Sequence, residues 1–224
     1  NKELLANVGH ELWAQSDAAG VDLLFEAAVA GGIPLIRALR ESLRGEPITR
    51  VMGIVNGTTN FILTKMSEDG ASYEDALAGA QQLGYAESDP TADVEGLDAA
   101  AKISIIASIA FGCNVVAGDV YSEGITKVTA ADIAIAKRLG YAVKLLGVTE
   151  FDKASGAVSV RVHPASGSML KSSLIQRAPV VEMSVLIDWS KFYEAETRHR
   201  ISLPTYAFER IRHWVDPVAM VADG

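Results

Sequence analysis

A single cysteine, Cys113, is all that the 224 residues contain. No internal disulfide can form, and a zinc site built on several thiolates is excluded. That usage points to a reducing cytoplasm, with Cys113 itself read as a small buried hydrophobe. Bases are also scarce: 20 Lys and Arg stand against 28 Asp and Glu, a formal charge of −8. Nucleic acid and anionic membrane surfaces are held by clustered bases that release counterions, so neither is an expected partner. No stretch approaches the ~18 apolar residues of a membrane span, since the most apolar run, Ile103 to Cys113, is broken by serines and by Gly112. The four histidines, His10, His163, His199 and His213, are too scattered for a metal constellation. Phosphate-loop, dinucleotide-fingerprint and nucleophile-elbow motifs are all missing. The opening Asn1-Lys2-Glu3-Leu4-Leu5 is no signal peptide and has no initiator methionine, and the chain reads as cut from something longer.

What is present is a core. Hydrophobic residues make up 49% of the chain, enough to bury substantial surface. Leu4, Leu5, Val8, Leu12 and Trp13 predict a helix over residues 3–15, and Asp22 to Glu26 is short and apolar enough for a buried strand. Pro34 suits a first helical turn ahead of Leu35, Ile36, Leu39 and Leu43. Ile48 to Val55 reads as a strand, and Asn56 to Asn60 as a turn into a helix ending near Met66. Ser72 and Asp75 have capping-box character before a helix to Leu83. A carboxylate-rich loop, Glu87 to Glu95, precedes a long Ala/Ile helix ending near Gly112. A helix over Thr129 to Leu139 and strands over Val143 to Thr149 and Val158 to His163 complete an α/β alternation. Composition then changes: six of fifteen aromatics and an Arg/His cluster crowd the final fifth, which places a boundary at about residue 166, with domains 1–165 and 166–224.

The densest polar group is Glu87, Asp89, Asp93, Glu95, Asp98 and Lys102. Asp98 and Lys102, four apart, share a helix face. One reading is an exposed ion pair worth ~0.3–0.5 kcal/mol. The other starts from the Ala/Ile composition of the helix, which must be buried and so puts Lys102 beside a partly desolvated cleft. There it gives up a proton more easily while carboxylates hold a cationic group of a ligand. Gly84 reads either as a helix C-cap or as a point of close backbone approach. Glu26, with Val29, Gly31 and Ile33, could surround a hard cation with oxygens. Asn56 reads as an N-cap.

Taken together, Asn1-Lys2, Glu26-Ala-Ala-Val-Ala-Gly-Gly-Ile-Pro34, Asn56-Gly-Thr-Thr-Asn60 and Leu83-Gly-Tyr-Ala-Glu-Ser-Asp-Pro-Thr-Ala-Asp93, running to Gly96-Leu-Asp-Ala-Ala-Ala-Lys102, resemble homoserine dehydrogenase. The resemblance spans residues 1 to about 165. It implies an α/β fold with a mixed β-sheet flanked by helices and an incomplete nucleotide-binding domain. It further implies interconversion of L-aspartate 4-semialdehyde and L-homoserine with NADP or NAD, in a homodimer. Residue by residue, it implies Lys102 as proton donor and Glu87, Asp98 and Asp93 as holders of the amino-acid substrate. Lys2 and Gly84 are implied to touch the cofactor, and Glu26 with the carbonyls of Val29, Gly31 and Ile33 to form a monovalent-cation (sodium) site. Residues from about 187 to 217 instead resemble the linker that follows an acyltransferase domain in polyketide synthases. A non-enzymatic packing module is therefore the competing expectation.

Overall fold

The computed structural model describes residues 1–31 and 33–167, together with the backbone of 182–187. In chain order its elements are helices α1 (Lys2–Ala19), α2 (Ala27–Ala30) and α3 (Leu35–Arg37), strand β1 (Ile48–Ile54), helices α4 (Gly57–Glu68), α5 (Tyr73–Gln82), α6 (Thr91–Val94) and α7 (Leu97–Phe111), strand β2 (Tyr121–Ser122), helix α8 (Ala130–Arg138), and strands β3 (Ala142–Phe151), β4 (Val158–Gly167) and β5 (Glu182–Ile187). The strands form one sheet in the order β2-β4-β3-β1-β5. β1 runs antiparallel to β3 and β5, and β3 to β4, while β2 is parallel to β4. The sheet is therefore mixed, and the expected α/β architecture is the one seen. Residues 1–189 group as one unit; the linker-like stretch lies outside the described residues except for the backbone of Ile187.

Period-two alternation along β3 sorts its side chains between two faces. Val143 and Leu145 join the main core with Ile103, Ile105 and Ile106 of α7, whereas Ala142, Leu146 and Val148 pack with Met52 and Ile54 on the other face. Gly147 lets α7 lie close to the sheet, since a Cβ there would sit 3.3 Å from Ile103 Cβ. Helix α7 is apolar nearly all round and is buried accordingly, with Ile103 and Ile106 at 0% exposure. This burial selects between the two readings of the Asp98–Lys102 pair, because Asp98 goes into the core with the helix that carries it.

Three differences from the sequence-based expectation have local causes. Asp22 to Glu26 is not a strand: among the described residues no strand pairs with it, and although Leu23 and Phe25 pack against the main core, Leu24 stays 83% exposed, so the segment joins the core without a ladder. Helix α1 runs to Ala19 and stops where Gly20 adopts the left-handed conformation and donates back to Ser16 and Asp17 carbonyls. Two strands, β2 and β5, were not anticipated. The first is only two residues long and is defined by its pairing with Arg161 and Val162.

The segment after β2 fastens the corner between α6 and α7. Ile125 N–H donates to the Val94 carbonyl at 2.8 Å, and a Cβ on Gly124 would lie 2.2 Å from that carbonyl oxygen. Gly124→Ala must displace backbone rather than a flexible side chain, and is expected to cost about 2–3 kcal/mol in urea unfolding.

One buried residue of β3 is a lysine. Lys144 is 3% exposed, and burial lowers its amine from 10.5 to about 8, countered only in part by the Glu68 charge. Between those two values the unfolded chain holds a proton that the folded chain does not, so this contribution makes stability rise with pH across that window. Lys144→Met, which keeps the stem and removes the charge, is expected to gain about 1–2 kcal/mol at neutral pH. The gain should shrink from pH about 8 upward, as measured by urea titration at several pH values.

Candidate active site

Strand β1 ends at Ile54, and the next two residues supply the floor of the site. Asn56 caps α4: its Oδ1 accepts from Thr59 N–H and from Thr59 Oγ1, both at 2.9 Å. That cap fixes the orientation of the amide, so Nδ2 must face away from the helix. It donates to Asp93 Oδ1 at 2.6 Å and to Asp98 Oδ2 at 2.9 Å.

The two carboxylates converge because of the corner between α6 and α7. Gly96, at φ 80°, turns the chain sharply, and a Cβ there would lie 2.8 Å from Ser122 Oγ and 3.1 Å from Val162 Cγ1. Only glycine meets both constraints. Asp98 then falls in the first turn of α7, where the helix dipole favours an anion.

Asp98 is shared by two ammonium groups. Lys102 Nζ lies 2.6 Å from Oδ2 and Lys2 Nζ 2.8 Å from Oδ1. Lys102 also donates to the Val55 carbonyl at 2.9 Å, which leaves its third N–H for an oxygen of a bound molecule. Burial pushes the Asp98 carboxyl up. The Lys102 charge and hydrogen bond, with the hydrogen bonds of Lys2 and Asn56, more than offset this and hold it below the ordinary aspartate range. The hydrogen bond and charge of Asp98 raise Lys2, against a smaller effect of burial.

Of the residues singled out from sequence, Lys102, Asp98, Asp93 and Lys2 thus form one network. Glu87 is exposed, and its backbone carbonyl accepts from Gln81 Nε2 at 3.1 Å. Gly84, at φ 76°, closes α5 in the manner of a C-cap, with Tyr85 N–H donating to the Ala80 carbonyl at 2.8 Å. Thr58 Oγ1 donates to the Tyr85 carbonyl at 2.7 Å and ties this turn to the start of α4. Glu26 lies apart from the network. Its two carboxylate oxygens accept from Ile36 and Arg37 N–H at 2.7 and 2.8 Å, and the Ile33 carbonyl accepts from Leu35 N–H at 2.8 Å. Among the described residues no group of three or more His, Cys, Asp or Glu side chains is placed to hold a metal ion, and no helix is long and apolar enough to cross a membrane.

Sequence reasoning treated Asn56 as a cap alone and passed over the Val55 carbonyl. The available signal was position: both follow a strand directly, at the sheet end towards which an acid-rich loop returns.

A mixed-sheet α/β domain with a partly buried lysine–carboxylate cluster at the end of an inner strand, β1, is the class that the fold and site define. A homoserine dehydrogenase family profile matches residues 34–185, and the chain belongs to that family. A homoserine dehydrogenase of Mycobacterium tuberculosis is 59% identical over 168 residues, 74% of this chain and 38% of the relative. The crystal structure of a homoserine dehydrogenase from Thiobacillus denitrificans superposes with a TM-score of 0.78 at 44% identity, covering 84% of this chain and 43% of that one. A hyperthermophilic archaeal homoserine dehydrogenase mutant in complex with NADPH gives a TM-score of 0.69 at 31% identity, covering 84% and 53%. The chain therefore spans well under half the length of the curated relative.

Proposed function

We propose that this chain is the substrate-binding and proton-donating part of an enzyme that interconverts L-aspartate 4-semialdehyde and L-homoserine with NADP or NAD. The observation that carries the reading is the lysine–carboxylate network at the end of β1. When an aldehyde is reduced, negative charge builds on its oxygen. The Lys102 ammonium, held by Asp98 and the Val55 carbonyl, has one N–H left to stabilise that charge and to supply the proton. Asp98 and Asp93, pinned by the Asn56 amide, present acceptors for the α-ammonium of the amino acid, and Glu87 adds a third from the solvent side.

The nicotinamide cofactor supplies the hydride when bound. Lys2, 32% exposed at the side of the network, and Gly84, with no atom within 4 Å of where a Cβ would be, leave room for it and would contact it. NADPH in the archaeal relative supports this choice of cofactor. Glu26 and the carbonyls of Val29, Gly31 and Ile33 offer an all-oxygen donor set with one negative charge. That chemistry suits a sodium ion, and Gly31 at φ 61° gives the loop its curl. A homodimer is part of the reading, to be checked by sedimentation.

The substrate assignment is tested in a hybrid in which this chain's matching stretch replaces the corresponding 168 residues of the Mycobacterium tuberculosis relative. Glu87→Gln in that hybrid is expected to weaken L-homoserine binding about tenfold by calorimetry, through loss of one charge-assisted contact. Unchanged affinity would remove Glu87 from the site.

A further inference from the structure

A polar cavity lies between α4, α8 and the first residues of β3. It has a volume of about 410 Å3, and its polar lining is Thr64, Ser67, Glu68, Lys137, Tyr141 and Lys144. None of these belongs to the network at the end of β1, so an inference about this cleft does not rest on the proposed reaction.

Lys144 gives the cleft its chemistry. Its amine donates to Thr64 Oγ1 at 2.6 Å, and that hydroxyl in turn donates to the Asn60 carbonyl at 2.7 Å. Thr64 can satisfy only one of the three N–H groups of the ammonium, and among the described residues no other acceptor within hydrogen-bond reach is found for it. Glu68 on α4 influences Lys144 through its charge but forms no salt bridge with it among the described residues. Lys137 on α8 borders the same cleft, its Nζ donating to the Ser67 carbonyl at 2.9 Å.

A buried donor without an acceptor carries a desolvation cost. An apolar occupant would leave that cost in place, and a cationic one would meet two ammonium groups against the single Glu68 carboxylate of the lining, leaving an anion with several acceptor oxygens as the matching ligand. We propose that this cleft binds a compact oxyanion, a carboxylate or phosphate group, whose oxygens take the unmatched N–H groups of Lys144 while Lys137 contributes charge at the rim. The low amine value of Lys144 agrees with a site whose counter-charge is supplied by a ligand.

Inorganic phosphate and acetate, each titrated into the full 224-residue chain against sodium chloride at matched ionic strength, distinguish the two sources of oxyanion. The readout is the NMR shift of the Lys144 ε-methylene. A saturable shift with phosphate alone assigns a phosphate site, and one with both assigns a general oxyanion site. In either case the Lys144 titration should move up by about one unit. Lys144→Met should abolish the saturable response of the remaining cleft resonances, Lys137→Met should weaken it about threefold, and Lys102→Met should leave it unchanged. A response matched by chloride or lacking saturation, or saturable binding retained in Lys144→Met, would overturn the proposal. The unmodified chain decides the first two of these outcomes even if the variant fails to fold.

Discussion

Lys102→Ala in the hybrid enzyme is expected to lower kcat about a thousandfold while KM for L-homoserine changes less than about threefold. A positioned proton donor contributes about 10²–10⁴ in rate, and its stabilisation of developing oxyanion charge is absent from the ground state. The loss should therefore fall on kcat, at about 4 kcal/mol of barrier. Folding should survive, because Asp98 keeps its second partner: Lys2 Nζ remains 2.8 Å from Oδ1 and the Asn56 amide 2.9 Å from Oδ2. Steady-state kinetics paired with a urea titration separate the two effects. A variant with parental kcat, or one whose whole loss is explained by unfolding, would remove Lys102 from the chemistry.

Asp98→Asn should act on stability as well as on binding. The carboxylate is 8% exposed and answers both Lys102 and Lys2. Neutralising it leaves two ammonium groups around a buried amide, at an expected cost of about 2–4 kcal/mol at neutral pH. The pH dependence has a definite sign. The folded carboxyl titrates below its ordinary 3.8, so the stabilisation is complete above that value and is lost as pH falls through the lower folded value. Urea unfolding of the parent and the variant should therefore differ most near neutrality and converge in acid. A difference independent of pH would mean that the ion pairs contribute nothing and that the variant merely packs badly.

How far the site could be read from sequence depends on whether its geometry is local. The Asp98–Lys102 pair was legible because residues four apart on one helix share a face, whereas its burial was only one of two readings open in sequence and was decided by how α7 packs. The cap at Asn56 was legible for the same reason. Its second role was not, since that role depends on Gly96 turning two carboxylates towards an amide some forty residues earlier in the chain. Asp22 to Glu26 shows the opposite error: its composition suits a strand, but strands are made by neighbours, and among the described residues none pairs with it. β2 has the reverse problem, two residues whose strand character comes wholly from β4. Lys144 drew no reading of its own within the strand expected over Val143 to Thr149, because its burial depends on β3 passing against α4 there.

The central claim is that residues 1–167 hold the substrate-binding and proton-donating groups of a homoserine dehydrogenase. Its most direct test is the initial rate of L-homoserine-dependent reduction of NADP, and of NAD, by the hybrid carrying this chain's stretch. Reduction should require homoserine and vanish to background in the Lys102→Ala hybrid. A correctly folded hybrid that binds the cofactor but shows no homoserine-dependent reduction, or one equally active without Lys102, would contradict it.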